Sequence, residues 1–418
     1  MIRTAPRYLW PLYCATLLYS TPVALPEVAT RAIVQPVGIA ALPYIAGARV
    51  LYQGYAGGNF RLYLYDIASQ QRSELRDNRT NYLYPLDFGT EHAAWITYAS
   101  STFNGGIGGL LRTTGPMPVI PINVEYRIDM IDIASKTTRT VSTTGAYKEF
   151  VAADALSIIW TDYTHSTTSD TFPEIYRYTH AGGEVSRIST HVSYKADIDV
   201  QGDVVVWQDY RNAGGGNNAD IYARILSSGE EREVCTNPAY QAQPSVHGNR
   251  VVWQDYRTPG TGGNNADIYL LDLGTGTETA ISTHPAFQAH PRISERFVVW
   301  QDYRHVTSTD PENTAIYLYD LSTGTEHALS TQNGYLGPPA VEGNLVVWYN
   351  YDTDAIYLAT IGATGTDTPR TRPVHLSRDQ EPRAGLSFTV RSFPAHDLKG
   401  RATAAGVQSG ASGYYLAR

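Results

Sequence analysis

The heptapeptide Val-Val-Trp-Gln-Asp-Tyr-Arg occurs three times, ending at Arg211, Arg257 and Arg304, so its tryptophans fall at Trp207, Trp253 and Trp300. Identical segments at near-constant spacing mark a chain built from one repeated supersecondary unit, and that constrains the fold more than any other feature. Weaker copies carry Trp348 (NLVVWYNYD), Trp160 (LSIIWTDYT), Trp95 (HAAWITYAS) and Tyr52 (RVLYQGYAG). A second landmark follows each of them: RLYLYDI, RIDMIDI, EIYRYTH, DIYARIL, DIYLLDL, AIYLYDL and AIYLATI. An eighth, GYYLAR, stands at 413–418, and QEPR before it matches the Gln-x-Pro of QAQP and QAHP, although no tryptophan accompanies it.

A unit reads as four short strands. Residues 241–282 divide into QAQPSVH, RVVWQDYR, ADIYLLDL and ETAIS, with Gly-Asn and Gly-Thr-Gly-Thr punctuation typical of hairpins. Charged residues make up only 17%, and tyrosine (31) far outnumbers phenylalanine (9), a composition suited to many strands and poorly suited to helices. The runs of valine before the tryptophan are apolar on both strand faces, as when each sheet lies between two others. The expected fold is all-β, a single β-propeller of four-stranded antiparallel blades. Counting every unit gives eight blades; seven blades and an irregular tail is the alternative. The eighth unit ends on its third strand, and RAIVQPV (31–37) has the pattern of a fourth, so an N-terminal strand is expected to close the ring.

Residues 1–30 have Arg3 and Arg7 before a moderately apolar stretch, the order of a secretory leader, which leaves 31–418 as the propeller domain with an insertion at about 100–124. No later stretch is apolar for the length that a membrane span needs. The net charge of −8 and the four scattered lysines make nucleic acid a poor partner. Two cysteines, Cys14 and Cys235, exclude a disulfide framework. A monomer is expected.

With its Trp and Asp-x-Arg closing the second strand and Asp-Ile-Tyr-Leu opening the third, the repeat resembles the TolB-like propeller family, over about 31–418 and most strongly over 200–330. It departs from TolB in that no separate α/β domain precedes the propeller. The resemblance implies a secreted, periplasmic or cell-surface setting and the binding of protein or glycan, and it fixes no catalytic residue.

Features shared by every blade are expected to be structural, since a ligand site breaks the symmetry. Trp160, Trp207, Trp253, Trp300 and Trp348 are therefore expected to wedge blades apart, and Asp209, Asp255 and Asp302 to tie turns. The connections between second and third strands, among them NAGGGNNA and HVTSTDPENTA, emerge with the blade-to-blade links on one face and carry most of the individuality. Binding candidates at that face are Arg211, Asn217, Arg257, Asn264, Arg304 and His305. The leading expectation is a binding module for protein or polysaccharide. A propeller carbohydrate-active enzyme, such as a polysaccharide lyase, is the alternative, with His191, His284, His290 and Gln288 as catalytic candidates in the links. No resident cofactor is expected; calcium is the alternative, with the oxygen-rich pairs Asp310 with Glu312 and Asp352 with Asp354 as its candidate ligands, although neither has the spacing of a calcium loop.

Overall fold

The computed structural model describes residues 28–362, apart from 36–37, 39–41, 58, 80–82, 84–85, 101–123, 166–171, 214–217, 259–264, 311 and 331–333. Strand β1 (Val28–Val34) comes first. Blade 1 holds β2–β5 (Tyr44–Ala46, Arg49–Ala56, Asn59–Asp66, Gln71–Arg79) and blade 2 holds β6–β9 (Leu86–Phe88, His92–Ser100, Val124–Asp132, Thr138–Gly145). Blade 3 is β10–β13 (Lys148–Ala153, Ser157–Asp162, Glu174–Thr179, Val185–Arg187), and blade 4 is β14–β17 (Lys195–Gln201, Val204–Asp209, Asp220–Ile225, Glu230–Cys235). Blades 5 and 6 are β18–β21 (Gln241–His247, Arg250–Asp255, Asp267–Asp272, Thr277–Ser282) and β22–β25 (Gln288–Ile293, Phe297–Asp302, Ala315–Asp320, Thr325–Ser330). Blade 7 takes β26–β28 (Ala340–Glu342, Leu345–Asn350, Ala355–Ile361) together with β1, in the order β1-β28-β27-β26.

The described residues thus form seven blades, which corrects the expected eight. The N-terminal strand does complete a blade, but its partner is β28, with Val28 opposite Ile361 and Ala32 opposite Tyr357, so the ring closes one unit earlier. The physical reason is that the strand carrying AIYLATI offers an unpaired edge as good as any later copy, and one N-terminal strand fills only one edge. The copy at 413–418 lies outside the described residues, as do 1–27 of the leader, while 28–30 belong to β1. Closure is sealed by packing: Val34, Val347, Tyr349, Ile356 and Leu358 of blade 7 share a core cluster with Ile45, Val50, Tyr52 and Tyr63 of blade 1.

Period-two alternation explains why the second strands are buried throughout. Val204 and Val206 of blade 4 pack with Val251 and Trp253 of blade 5, whereas Val205 and Trp207 pack with Ile159 and Ile175 of blade 3. Each strand therefore feeds two cores, and each tryptophan points to the preceding blade. Short turns such as Gly248 (φ 58°) and Gly276 (φ 69°) lie on one face, where a residue with a Cβ would be strained. Links and second-to-third-strand connections lie on the other, because Gln241, Asp255 and Asp267 stand opposite one another at the same end of the sheet.

Candidate functional site

Around the repeated heptapeptide the side chains are committed to the frame. The indole Nε1 of Trp207, Trp253 and Trp300 donates to Oδ2 of Asp209, Asp255 and Asp302 at 2.7, 2.8 and 2.8 Å. The same oxygens receive Nη2 of Arg211, Arg257 and Arg304 at 2.6, 2.7 and 2.7 Å, while Oδ1 caps the arginine's own N–H. Each guanidinium continues to a glutamate of the outermost strand, Glu231, Glu278 or Glu326, and lies over Tyr222, Tyr269 or Tyr317 at 3.8, 4.1 and 3.8 Å. These three arginines, expected as binding residues, are thus tied within their own blades. Asn217 and Asn264 lie outside the described residues. His305 stacks on Tyr317 and shares a 3.0 Å hydrogen bond with its hydroxyl.

The residues that do assemble on the long-loop face are aromatic. The tyrosine of the heptapeptide, at 210, 256 and 303 and in the related positions 163 and 351, donates its backbone N–H to the carbonyl of an aromatic residue in the preceding link: Tyr194, Tyr240 and Phe287, and Tyr147 and Tyr335. Within each pair the rings lie 4.7–5.3 Å apart, and Tyr210–Tyr240 (6.4 Å) and Tyr256–Phe287 (6.1 Å) join one pair to the next. Because the link aromatics directly precede the innermost strands in blades 3 to 6, they form a belt along that side of the mouth of the central channel. Most of these rings are half-buried, and Tyr147 is 45% exposed. Polar handles line the belt: Gln208 donates to the hydroxyls of Tyr210 and Tyr240, Gln254 to that of Tyr256, and Glu149 accepts from Tyr163 and Tyr194 at 3.0 and 2.9 Å. Burial pushes the Glu149 carboxyl up, against the pull of those two hydroxyls. The sequence signal for this belt was an aromatic residue just before the innermost strand and a tyrosine three positions after each Trp.

Deeper in the channel, charged residues meet at one level. Asp87, Asp199 and Arg292, from blades 2, 4 and 6, each stand opposite the residue preceding the Trp of their blade. Asp87 Oδ2 accepts from Ala153 N at 2.7 Å and Asp199 Oδ2 from Val246 N at 3.0 Å, so both carboxylates stitch neighbouring blades. Burial and the nearby Asp199 carboxylate push Asp87 up to about 7, with Arg292 acting in the opposite sense. The unfolded chain releases this proton near the ordinary carboxylate value while the folded chain holds it to about 7, so stability is lost as pH rises through that window. At about 1.4 kcal/mol per unit, and roughly halved for water in the channel, the loss between pH 5 and 8 is ~1–2 kcal/mol. Unfolding of the wild type and Asp87→Asn across that range is expected to show the wild type losing ground to the variant as pH rises. A gap that stays constant would contradict the assignment.

The remaining candidates do not converge. Gln288 is fully buried, and its amide donates to the carbonyls of His284 and Ala286. His284 Nδ1 accepts from Ala286 N at 3.1 Å. His290 sits at a left-handed bulge (φ 54°), and its N–H donates to Gln243 of the preceding blade. His191 is exposed, and its carbonyl takes the Lys195 ammonium. Asp310 and Glu312 lie in the blade 6 connection, where they take part in backbone turns. Asp352 donates its backbone N–H to Asn350 Oδ1, and Asp354 accepts from Tyr349 OH and Gly38 N, tying the segment after β1 to blade 7. Among the described residues no group of three or more His, Cys, Asp and Glu side chains could hold a metal.

No family model and no curated protein matches the chain. Solved structures do. Oligogalacturonate lyase from Vibrio parahaemolyticus matches with a TM-score of 0.54 and 10% identity, over 81% of this chain and 98% of that one. The β-propeller domain of the trilobed protease from Pyrococcus furiosus gives the same TM-score of 0.54 and 10% identity, over 81% and 98%. TolB from Acinetobacter baumannii is matched at 16% identity over 74% and 78%, with a TM-score of 0.38 that carries no argument. Identities this low show the fold alone. The fold shared with the first two is a β-propeller.

Proposed function

We propose that the chain is an extracytoplasmic propeller that binds a partner through its long-loop face, with polysaccharide favoured over protein as the ligand. The observation that carries this is the aromatic belt along one side of the channel mouth. Tyrosine presents a flat apolar face that stacks against the C–H face of a sugar ring, and its hydroxyl serves the sugar's own hydroxyls. Half-buried rings held by backbone bonds are preorganised, so little side-chain freedom is lost on binding. The frame arginines support the reading from the other side, because their Nη donors are taken by Asp and Glu within the blade. The extracytoplasmic setting rests on the leader-like residues 1–30 and the family resemblance.

Retention on a panel of insoluble neutral, acidic and amino polysaccharides tests the reading, with absorbance of unsaturated product followed in the same incubations. Retention on at least one polysaccharide with flat absorbance is expected. Rising absorbance would replace binding with the lyase alternative, and passage through every matrix would overturn the polysaccharide reading.

A further inference from the structure

On the long-loop face, the first residue of the innermost strand in blades 3 to 6 reaches back into the preceding link. In blade 4 this residue is Lys195, whose ammonium donates to the carbonyls of His191, Ser193 and Pro173 at 2.6, 3.0 and 3.5 Å and to Ser193 Oγ at 3.3 Å. In blade 3 it is Lys148, with Thr144, Ala146 and Tyr126 as acceptors and Asp162 at 3.1 Å. Two successive junctions are therefore oxygen cages filled by an internal cation.

Blades 5 and 6 have glutamine there. Gln241 and Gln288 are fully buried, and their amides donate to the corresponding carbonyls, Asn237 and Ala239 or His284 and Ala286. Exchanging ammonium for amide removes a positive charge and adds an oxygen. That oxygen has no hydrogen-bond partner at either junction.

It is not alone. Gln241 N donates to Ala219 O at 2.9 Å, and the next residue, Asp220, is 1% exposed and has Oδ1 without a partner while Oδ2 accepts from Asn212. One junction on, Gln288 N donates to Ala266 O at 2.9 Å, and Asp267, fully buried, has Oδ2 without a hydrogen bond of good geometry, the Thr258 side chain lying beside the carboxyl. Asn265 donates to Asp267 Oδ1 and to His284 O, the carbonyl Gln288 also uses, and its own Oδ1 lacks a partner. The sequence Asn-Asn-Ala-Asp-Ile-Tyr precedes both glutamines, at 217–222 and 264–269. The unpaired atoms of these five side chains are all acceptors, beside the Arg211 and Arg257 charges that act on Asp220 and Asp267 and whose own Nε atoms lack a partner, and burial pushes both carboxyls up. Unpaired buried oxygens around one carboxylate are what a hard cation takes as ligands.

We propose that the junctions between blades 4 and 5 and between blades 5 and 6 each bind one hard cation, with calcium as the probe, doing there what the lysine ammonium does in the two junctions before. Asp220 and Gln241 hold the first ion; Asn265, Asp267 and Gln288 hold the second. With a single carboxylate per site, affinity on the order of 10⁻⁴–10⁻³ M is expected, the range of extracellular calcium modules.

The full chain tests this through terbium luminescence, sensitised by neighbouring aromatics, and through the thermal midpoint with calcium or EDTA. Wild type is expected to take up two ions and to melt higher with millimolar calcium. Gln241→Lys restores the internal cation of blades 3 and 4 and is expected to take up one ion; with Gln288→Lys added, none, and the midpoint no longer responds to calcium. If a lysine variant fails to fold, Asp220→Asn and Asp267→Asn serve instead, with the same stepwise loss. A midpoint indifferent to calcium and EDTA would overturn the proposal and leave buried water as the occupant. Terbium uptake unchanged by all four substitutions would overturn it as well, as an adventitious ion only.

Discussion

Replacing Asp255 by alanine is expected to cost about 3–5 kcal/mol, the usual penalty for breaking a buried ion pair by removing one partner. The carboxylate is fully buried and serves the Trp253 indole, the Arg257 guanidinium and the Arg257 N–H at once. Alanine leaves all three donors short of an acceptor, and only Arg257 has a second partner, Glu278 at 2.6 Å. Removing both charges together leaves no uncompensated ion, so Asp255→Ala with Arg257→Met is expected to recover much of the loss. Denaturant unfolding of the four proteins in the cycle measures this. Asp255→Ala within 1 kcal/mol of wild type would show the heptapeptide is not the frame.

A chain beginning at Gln35 is expected to be less stable than one beginning at Val28 by about 4–6 kcal/mol, taking roughly 1 kcal/mol for each ladder position lost. Six positions of β1 pair with β28, and Val34 is buried at the seam between blades 7 and 1. Losing them bares the β28 edge, so association at micromolar concentration should accompany the fall in stability. Equal midpoints for the two chains would contradict ring closure by this strand.

Much of this architecture is legible in the sequence because its signals are local. Turn glycines, the valine run and the Trp landmark specify each blade without reference to the others, and Tyr52 marks blade 1 even though it lacks the indole N–H. Blade 2 departs further, with Thr97 where an aspartate would stand, so Trp95 Nε1 is left without a partner. Blade number is different in kind: it depends on which free edge the N-terminal strand pairs with, and strand pairing is decided by tertiary context. The copy at 413–418 and β28 read alike locally. The aromatic belt was written in the sequence at fixed offsets from each Trp, yet its meaning depends on the links folding back to bring Tyr240 against Tyr210 and Tyr256. The periodic Asp residues are expected as ties and the Arg residues as binding candidates, while the geometry uses both as ties.

The belt itself is the most direct test. Binding of a retained polysaccharide should be compared between wild type, Tyr194→Ala with Tyr240→Ala, and the same two positions changed to phenylalanine. At ~1 kcal/mol for each stacked ring, the alanine pair is expected to lose about thirtyfold in affinity with the thermal midpoint still cooperative, while the phenylalanine pair retains most of it. Undiminished binding by a folded alanine pair would contradict the claim that the channel mouth on the long-loop face is where this propeller meets its partner.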